Sequence, residues 1–258
     1  MSKKKVALVL GGGSALGFAH IGVIKVLEKY GVNIDIVVGT SIGGLVGAAY
    51  CAGVSTETMT KFACKFRKIH FFDVNFNWSG VFSGKGVMKS INKFLSNVKI
   101  EELEKQFACV ACDLVKEKEV LITSGSLRDA VRSTLSIPGL FVPFYKDDQV
   151  LVDGGILNNL PEDIAMKLGA DVIISCDVLK YCKIEDRPTS VLETLIYSVN
   201  CSTKEIQKLK SYHSDVLLQP NLTGITQMGF VKKDTLRAIK EGEIETEKYI
   251  KKILSLLS

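Results

Sequence analysis

Short, wholly apolar runs alternate along this chain with longer segments whose apolar residues recur at three- and four-residue intervals. Val6–Leu10 is the first such run, and Gly11-Gly12-Gly13-Ser14 follows it as a loop. Phe18, Ile21, Val23, Ile24, Val26 and Leu27 then keep a helical period that stops at Tyr30-Gly31. Ile34–Val38 is a second apolar run. Strands without polar alternation are buried on both faces, which predicts a parallel sheet covered by helices on either side. The same patterning predicts helices from Ser55 to about Lys68, over Val87–Leu95, and over Leu127–Leu135, stopping before Pro138. Strands are expected at Phe107–Leu114 and Glu119–Ile122, joined by the charged turn Lys116-Glu117-Lys118, and at Val150–Val152, which ends on Asp153. Beyond these come a helix at Pro161–Leu168, strands at Asp171–Cys176 and Val216–Leu218, and helices at Val191–Ser211 and Lys233–Leu257. No repeat, linker or shift in composition marks a boundary. One α/β domain is therefore expected over 1–258, its motifs within about 6–177 and its C-terminal helices, 191–258, packed on it.

Chemistry enters where the second apolar run ends, at Gly39-Thr40-Ser41-Ile42-Gly43. A G-x-S-x-G sequence between a strand and a helix is the pattern of a nucleophile elbow, in which Ser41 is held out at a sharp turn. Small neighbours let that turn close, and the helix N-terminus favours developing negative charge. The loop Gly11–Gly17 occupies the position of a phosphate or oxyanion cradle. A dinucleotide fingerprint fails on register, because Leu16 or Ser14 falls where a glycine is required. A Walker loop fails because no Gly-Lys-Ser/Thr follows. An oxyanion hole needs only two well-aimed N–H groups, which Gly11, Gly12, Gly13 and Ser14 can supply.

A base for Ser41 is harder to read. His213 lies in Lys210-Ser211-Tyr212-His213 at the end of a helical pattern, without glycine-rich or strand-end context, while His20 falls in the first helix and His70 in the aromatic segment. Asp153 ends an apolar strand and precedes Gly154-Gly155, so its carboxylate emerges at a sheet edge beside close-approaching backbone. In a desolvated cleft an aspartate has a raised pKa and serves as a general base. Asp-Gly is equally a common turn dipeptide, and that reading stays open on the residues alone.

Composition narrows the setting. With 47% hydrophobic residues, 24% charged residues and a net charge of +5 over 258 residues, the chain reads as globular and mildly basic. No dense basic run is interleaved with aromatics, which argues against nucleic-acid binding. The apolar run after Lys3-Lys4-Lys5 is too short for a signal peptide, and Ile36–Thr56 carries five glycines where a membrane span would be predominantly apolar. Seven cysteines without a secretory signal are expected as free thiols in a cytoplasmic protein. Cys109-Val110-Ala111-Cys112 lies in a predicted strand, which turns its thiols to opposite faces and favours packing over redox or zinc chemistry. Phe71, Phe72, Phe76 and Trp78 follow Lys61, Lys65, Arg67 and Lys68, an apolar tip flanked by cations. That arrangement suits peripheral contact with an anionic membrane, or a loop folded on the core, or a homo-oligomer contact.

Taken in order, the loop Gly11–Gly17 with His20-Ile21-Gly22, the elbow Gly39–Gly43, Ser136-Ile137-Pro138-Gly139 and Asp153-Gly154-Gly155 with Asn158-Asn159-Leu160-Pro161 resemble the patatin-like phospholipase family. The resemblance implies a three-layer α/β/α fold with a mostly parallel central sheet. It also implies a Ser–Asp dyad without histidine or metal cofactor: Ser41 as nucleophile, Asp153 as general base, the glycine loop as oxyanion hole. Gly17, Gly39, Gly43, Gly154 and Gly155 support the motifs. The implied substrates are fatty-acyl esters of lipids, as in phospholipase A or lysophospholipase activity. Alternatives are a soluble esterase or thioesterase on short acyl chains, and a non-catalytic lipid-binding protein. Leu16 stands where many bacterial relatives carry Arg or Lys, which favours less anionic substrates.

Overall fold

The wholly apolar runs form the centre of the sheet. A computed structural model describes residues 4–67, 74–77, 80–181, 187–188, 190–209 and 213–258. The first half of the chain contains β1 (Val6–Leu10), α1 (Ala19–Lys29), β2 (Ile36–Thr40), α2 (Ile42–Cys51) and α3 (Thr56–Lys65). A small hairpin of β3 (Val74–Asn77) and β4 (Gly80–Phe82) and helix α4 (Lys85–Leu95) precede β5 (Gln106–Asp113), β6 (Lys118–Ile122) and α5 (Leu127–Thr134). The remainder is β7 (Phe144–Lys146), β8 (Gln149–Asp153), α6 (Glu162–Lys167), β9 (Val172–Cys176), α7 (Val191–Leu209), β10 (Val216–Leu218) and α8 (Lys232–Leu257).

Among the described residues eight strands share one sheet, ordered β10-β9-β1-β2-β5-β8-β7, with β6 also paired to β5. From β10 through β5 every pairing is parallel. The β5 flank is antiparallel, both to β6 and to β8 and β7. Period-two geometry sends alternate residues to opposite layers. Val6, Leu8 and Leu10 of β1 enter the larger core beneath α1 and α2, whereas Ala7 and Val9 enter a smaller core with Ile164 and Ala165 of α6. Helices therefore cover both faces, as three-layer architecture requires.

The antiparallel flank corrects the picture of parallel strands around Asp153. Val110 of β5 pairs with Thr40 of β2 and with Leu121 of β6. The next residue, Ala111, pairs with Asp153 of β8 and with Val120 of β6. A strand has two edges, and β6 occupies one. Hence β2 and β8 share the other edge, run toward each other, and meet with their C-terminal ends at consecutive residues of β5.

Some boundaries differ from those read in the sequence. β2 begins at Ile36 because the Asp35 N–H is used by the Val6 carbonyl and the Asp35 carboxylate accepts the Val6 N–H. Helix α3 stops at Lys65, where Phe66 turns extended, and the short strands β3, β4 and β7 were not expected. Phe71, Phe72, Trp78, His70 and Cys182 lie outside the described residues, and Phe76 is described only as backbone of β3. Among the described residues no helix is long and apolar enough to cross a membrane.

Candidate active site

Helix α2 lies almost directly on the sheet. A Cβ on Gly43 would stand 2.1 Å from the Leu10 carbonyl oxygen, and one on Gly39 would stand 2.5 Å from the Gly44 nitrogen. Only residues without a side chain allow so tight a turn from β2 into α2. At its apex Ser41 adopts φ 55 and ψ −125, a left-handed-side conformation that a non-glycine residue holds only under constraint. The constraint is Thr134 at the end of α5. Its hydroxyl accepts the Ser41 N–H at 2.7 Å and donates to the Val110 carbonyl at 2.6 Å. Thr134 has no motif of its own, and sequence reading missed it.

Asp153 reaches the same point from β8. Its N–H donates to the Ser136 carbonyl at 2.9 Å, which gives the Ser136–Gly139 segment a role in seating the base. Its carboxylate accepts the Gly155 N–H at 2.8 Å and lies in hydrogen-bonding contact with the Ser41 side chain. Ser41 is 5% exposed and Asp153 6%. Burial pushes the Asp153 pKa up to about 6, although the hydrogen bonds from Ser41 and Gly155 pull it down. A serine hydroxyl at a strained turn and a carboxylate of near-neutral pKa are thus side by side.

The glycine loop flanks them. A Cβ on Gly12 would lie 3.2 Å from the Ser41 Cβ, so the backbone passes in contact with the serine. Expected as a set of four donors, the loop divides its work. The Gly11 N–H donates to the Cys176 carbonyl at 3.1 Å and that of Gly12 to the Asn159 carbonyl at 3.2 Å, which takes both out of an oxyanion hole. Among the described residues no acceptor takes the N–H of Gly13 or Ser14. Both line a cavity of about 560 Å³ with Ser41, Asp153, Asn159 and Thr203. The Asn159 side chain adds a bond from Nδ2 to the Gly12 carbonyl at 3.2 Å, a second contribution the sequence did not reveal.

The histidines stand apart from this chemistry. His20 is fully buried in α1 with Nε2 2.8 Å from the Gly11 carbonyl, which can only accept, so Nε2 carries the proton. Burial lowers its pKa to about 4 despite that bond, and it latches the loop as a neutral ring. His213 precedes β10, and residues 210–212, on which the expected end of the helix falls, lie outside the described residues. Since β10, β9, β1 and β2 run parallel, His213 lies at the N-terminal end of the sheet, opposite Ser41. Leu16 is wholly buried, so its side chain adds nothing to the cleft. Among the described residues no group of three or more His, Cys, Asp or Glu side chains is placed to hold a metal ion. Burial raises the thiol pKa of Cys109, Cys112 and Cys176, in keeping with packing roles.

A second cavity, about 520 Å³ and lined by Ser41, Phe18, Leu45, Phe62, Phe66 and Phe230 among others, opens from the other side of the serine. Ser14 and Ser41 border both spaces. The serine therefore stands between a partly polar cleft and an apolar one.

Residues 8–166 match the family model described as patatin-like phospholipase. The chain belongs to this family. Among its patatin-like relatives, the neuropathy target esterase sws of Drosophila melanogaster is 36% identical over 69% of this chain and 13% of that protein. Patatin-like phospholipase domain-containing protein 6 of Homo sapiens is 36% identical over 67% of the chain and 13% of its own length. A lysophospholipase of Pyricularia oryzae is 35% identical over 68% and 12% respectively. The chain thus spans about 13% of the length of the curated relatives it matches. In fold it is similar to VipD from Legionella pneumophila, with TM-score 0.57 and 15% identity over 98% of this chain and 67% of that one. It is also similar to ExoU of Pseudomonas aeruginosa, with TM-score 0.54 and 12% identity over 99% of this chain and 53% of that one. These likenesses support the patatin-like three-layer fold.

Proposed function

We propose that this patatin-like chain is a lipid acyl hydrolase in which Ser41 and Asp153 act as a nucleophile–base dyad. The observation that carries the reading is a buried carboxylate of raised pKa held against a serine at an elbow. Asp153 takes the Ser41 proton as Oγ attacks the ester carbonyl. The tetrahedral oxyanion then lies against the Gly13 and Ser14 N–H groups, assisted by the α2 N-terminus. Collapse of the intermediate expels the alcohol, which takes the proton from Asp153, and leaves an acyl-serine. Water then gives a proton to Asp153 as it attacks the acyl carbonyl, and Asp153 returns that proton to Ser41 Oγ as the acyl–serine bond breaks and the fatty acid leaves.

The two spaces at Ser41 support a substrate with unlike ends. The phenylalanine-lined cavity suits a fatty-acyl chain. On the polar side, the first cavity shares Asn159, Leu179 and Thr203 with a third, whose walls include Lys180, Lys204 and Lys208. With Lys208 paired to Glu205, and with Asp177 in the same wall, Lys180 and Lys204 provide the cationic surroundings that Leu16 does not, and they fit an anionic head group such as that of a lysophospholipid.

The test is fatty-acid release from a lysophospholipid by purified protein. Ser41→Ala is expected to lower turnover about 10⁴-fold or more and to abolish labelling by a fluorophosphonate. Asp153→Asn is expected to lower it by about 10²–10⁴-fold, while His213→Asn leaves it unchanged. Undiminished hydrolysis by Ser41→Ala would rule out the nucleophile, and a large loss in His213→Asn would rule out the dyad.

A further inference from the structure

The apolar cavity at Ser41 does not end at its own far wall. A further cavity of about 430 Å³ shares Phe18, Leu45 and Phe62 with it. The residues lining the two spaces advance together along three helices. On α2 they step from Ser41, Ile42 and Leu45 to Val46 and Ala49. On α3 they step from Phe66 through Phe62 to Met59, and on α4 from Val87 to Ile91 and Phe94. At 1.5 Å rise per residue, the path from Ser41 to Ala49 covers about 12 Å. The two cavities thus adjoin along these helices, the first of them bordered by Ser41.

Phe62 stands at the junction. Its ring centroid is 5.8 Å from that of Phe66 in the outer chamber and 5.7 Å from that of Phe94 in the inner one. The contact with Phe94 is edge-on, at an interplanar angle of 88°. One half-buried ring therefore lines both cavities and packs against a phenylalanine of each. Nothing in the inner wall (Met59, Ala63, Ile91, Phe94, Leu95) offers a hydrogen bond, so water gains little there and a hydrocarbon chain would displace it favourably.

We infer that the two cavities are consecutive chambers of one channel, that this channel receives the substrate's acyl chain, and that Phe62 between them sets the chain length it accepts. The inference rests on the acyl-hydrolase reading and adds its specificity determinant. Short chains fill the outer chamber and stop against the Phe62 ring. Longer chains must displace that ring to enter the inner chamber. Phe62→Ala removes the partition, and Ala49→Phe fills the space beyond it while leaving the outer chamber intact.

Two readouts keep the channel separate from the chemistry. The first is kcat/KM on p-nitrophenyl esters from butyryl to palmitoyl. The second is displacement of a fluorescent fatty acid from the Ser41→Ala background by fatty acids of the same lengths. Phe62→Ala is expected to raise the palmitoyl-to-octanoyl ratio about tenfold in both assays, and Ala49→Phe to lower it by a similar factor. Phe62→Leu, which keeps an apolar side chain of intermediate size, gives an intermediate ratio and covers the case in which the alanine variant does not fold. If no ester is hydrolysed but fatty-acid binding shifts with these substitutions, the dyad reading fails and the channel stands. If the variants change every chain length by one common factor, or change none, the role of Phe62 is overturned.

Discussion

Ser41 owes its position to a residue with no chemistry of its own. The Thr134 hydroxyl is both acceptor for the Ser41 N–H and donor to the Val110 carbonyl, and both bonds are buried. Thr134→Val keeps the shape and removes both bonds, leaving two desolvated backbone groups at about 1–3 kcal/mol each. The expected outcome is a matching loss in urea-unfolding stability together with a fall in kcat, while Thr134→Ser restores both. The elbow itself was legible in the sequence because its constraint is local: glycines two residues either side of a serine, after an apolar run. Thr134 was not, since its role depends on where α5 ends relative to β5. The same holds for the proposed oxyanion donors. The loop could be recognised, but which N–H groups remain available is decided by Cys176 and Asn159, far along the chain.

Among the elements, α1 and α8 pack backbone to backbone behind the glycine loop. A Cβ on Gly22 of α1 would meet the Ile239 carbonyl oxygen at 2.0 Å, and one on Gly242 of α8 would meet the Ala19 carbonyl oxygen at 2.0 Å. The two helices cross with backbones in contact, and ion pairs Lys25–Glu243 and Lys29–Glu247 flank the crossing. Since α1 carries His20, which latches Gly11, any parting of the helices is transmitted to the loop beside Ser41. Gly242→Ala is expected to cost about 1–3 kcal/mol, at the upper end because the obstacle is backbone. Chemical denaturation measures that cost, and a parallel loss of activity on dilution into mild urea would report the loop. Apolar periodicity disclosed both helices, but not their contact. Nor could it disclose that β8 runs against β5, because an apolar strand reads the same in either direction.

At the scale of the whole molecule the burial of the Asp153 carboxylate has a thermodynamic cost. Asp153 has a raised pKa in the fold, about 6 against an ordinary value near 3.8, so the folded protein binds its proton more tightly than the unfolded chain does. The stabilisation from this proton is complete below about pH 4 and is lost as pH rises through about 6. At 1.36 kcal/mol per pH unit, the ionised carboxylate lowers stability at neutral pH by about 3 kcal/mol. Activity follows the opposite course, because the base must be ionised: kcat/KM is expected to climb through about pH 6 and then level off. Asp153→Asn should therefore melt higher than the parent protein at pH 7.5, with the gap closing toward pH 4. A variant that melts lower at both pH values would contradict the desolvation argument.

The meeting of β2 and β8 on one edge of β5 has a further meaning for how such a protein can change. Thr40 and Asp153 are each pinned to β5, at neighbouring residues. One peptide step of that strand is the ruler that spaces Ser41 from Asp153, and the length of chain between them does not enter. Segments inserted after Gly53, or at the hairpin tip around Glu117, stretch the polypeptide without stretching the ruler. One residue added between Val110 and Ala111 would shift Asp153 relative to Ser41 and turn every following side chain of β5 to the other face. Tolerance to insertion in this molecule is a map of distance from a single bond in β5.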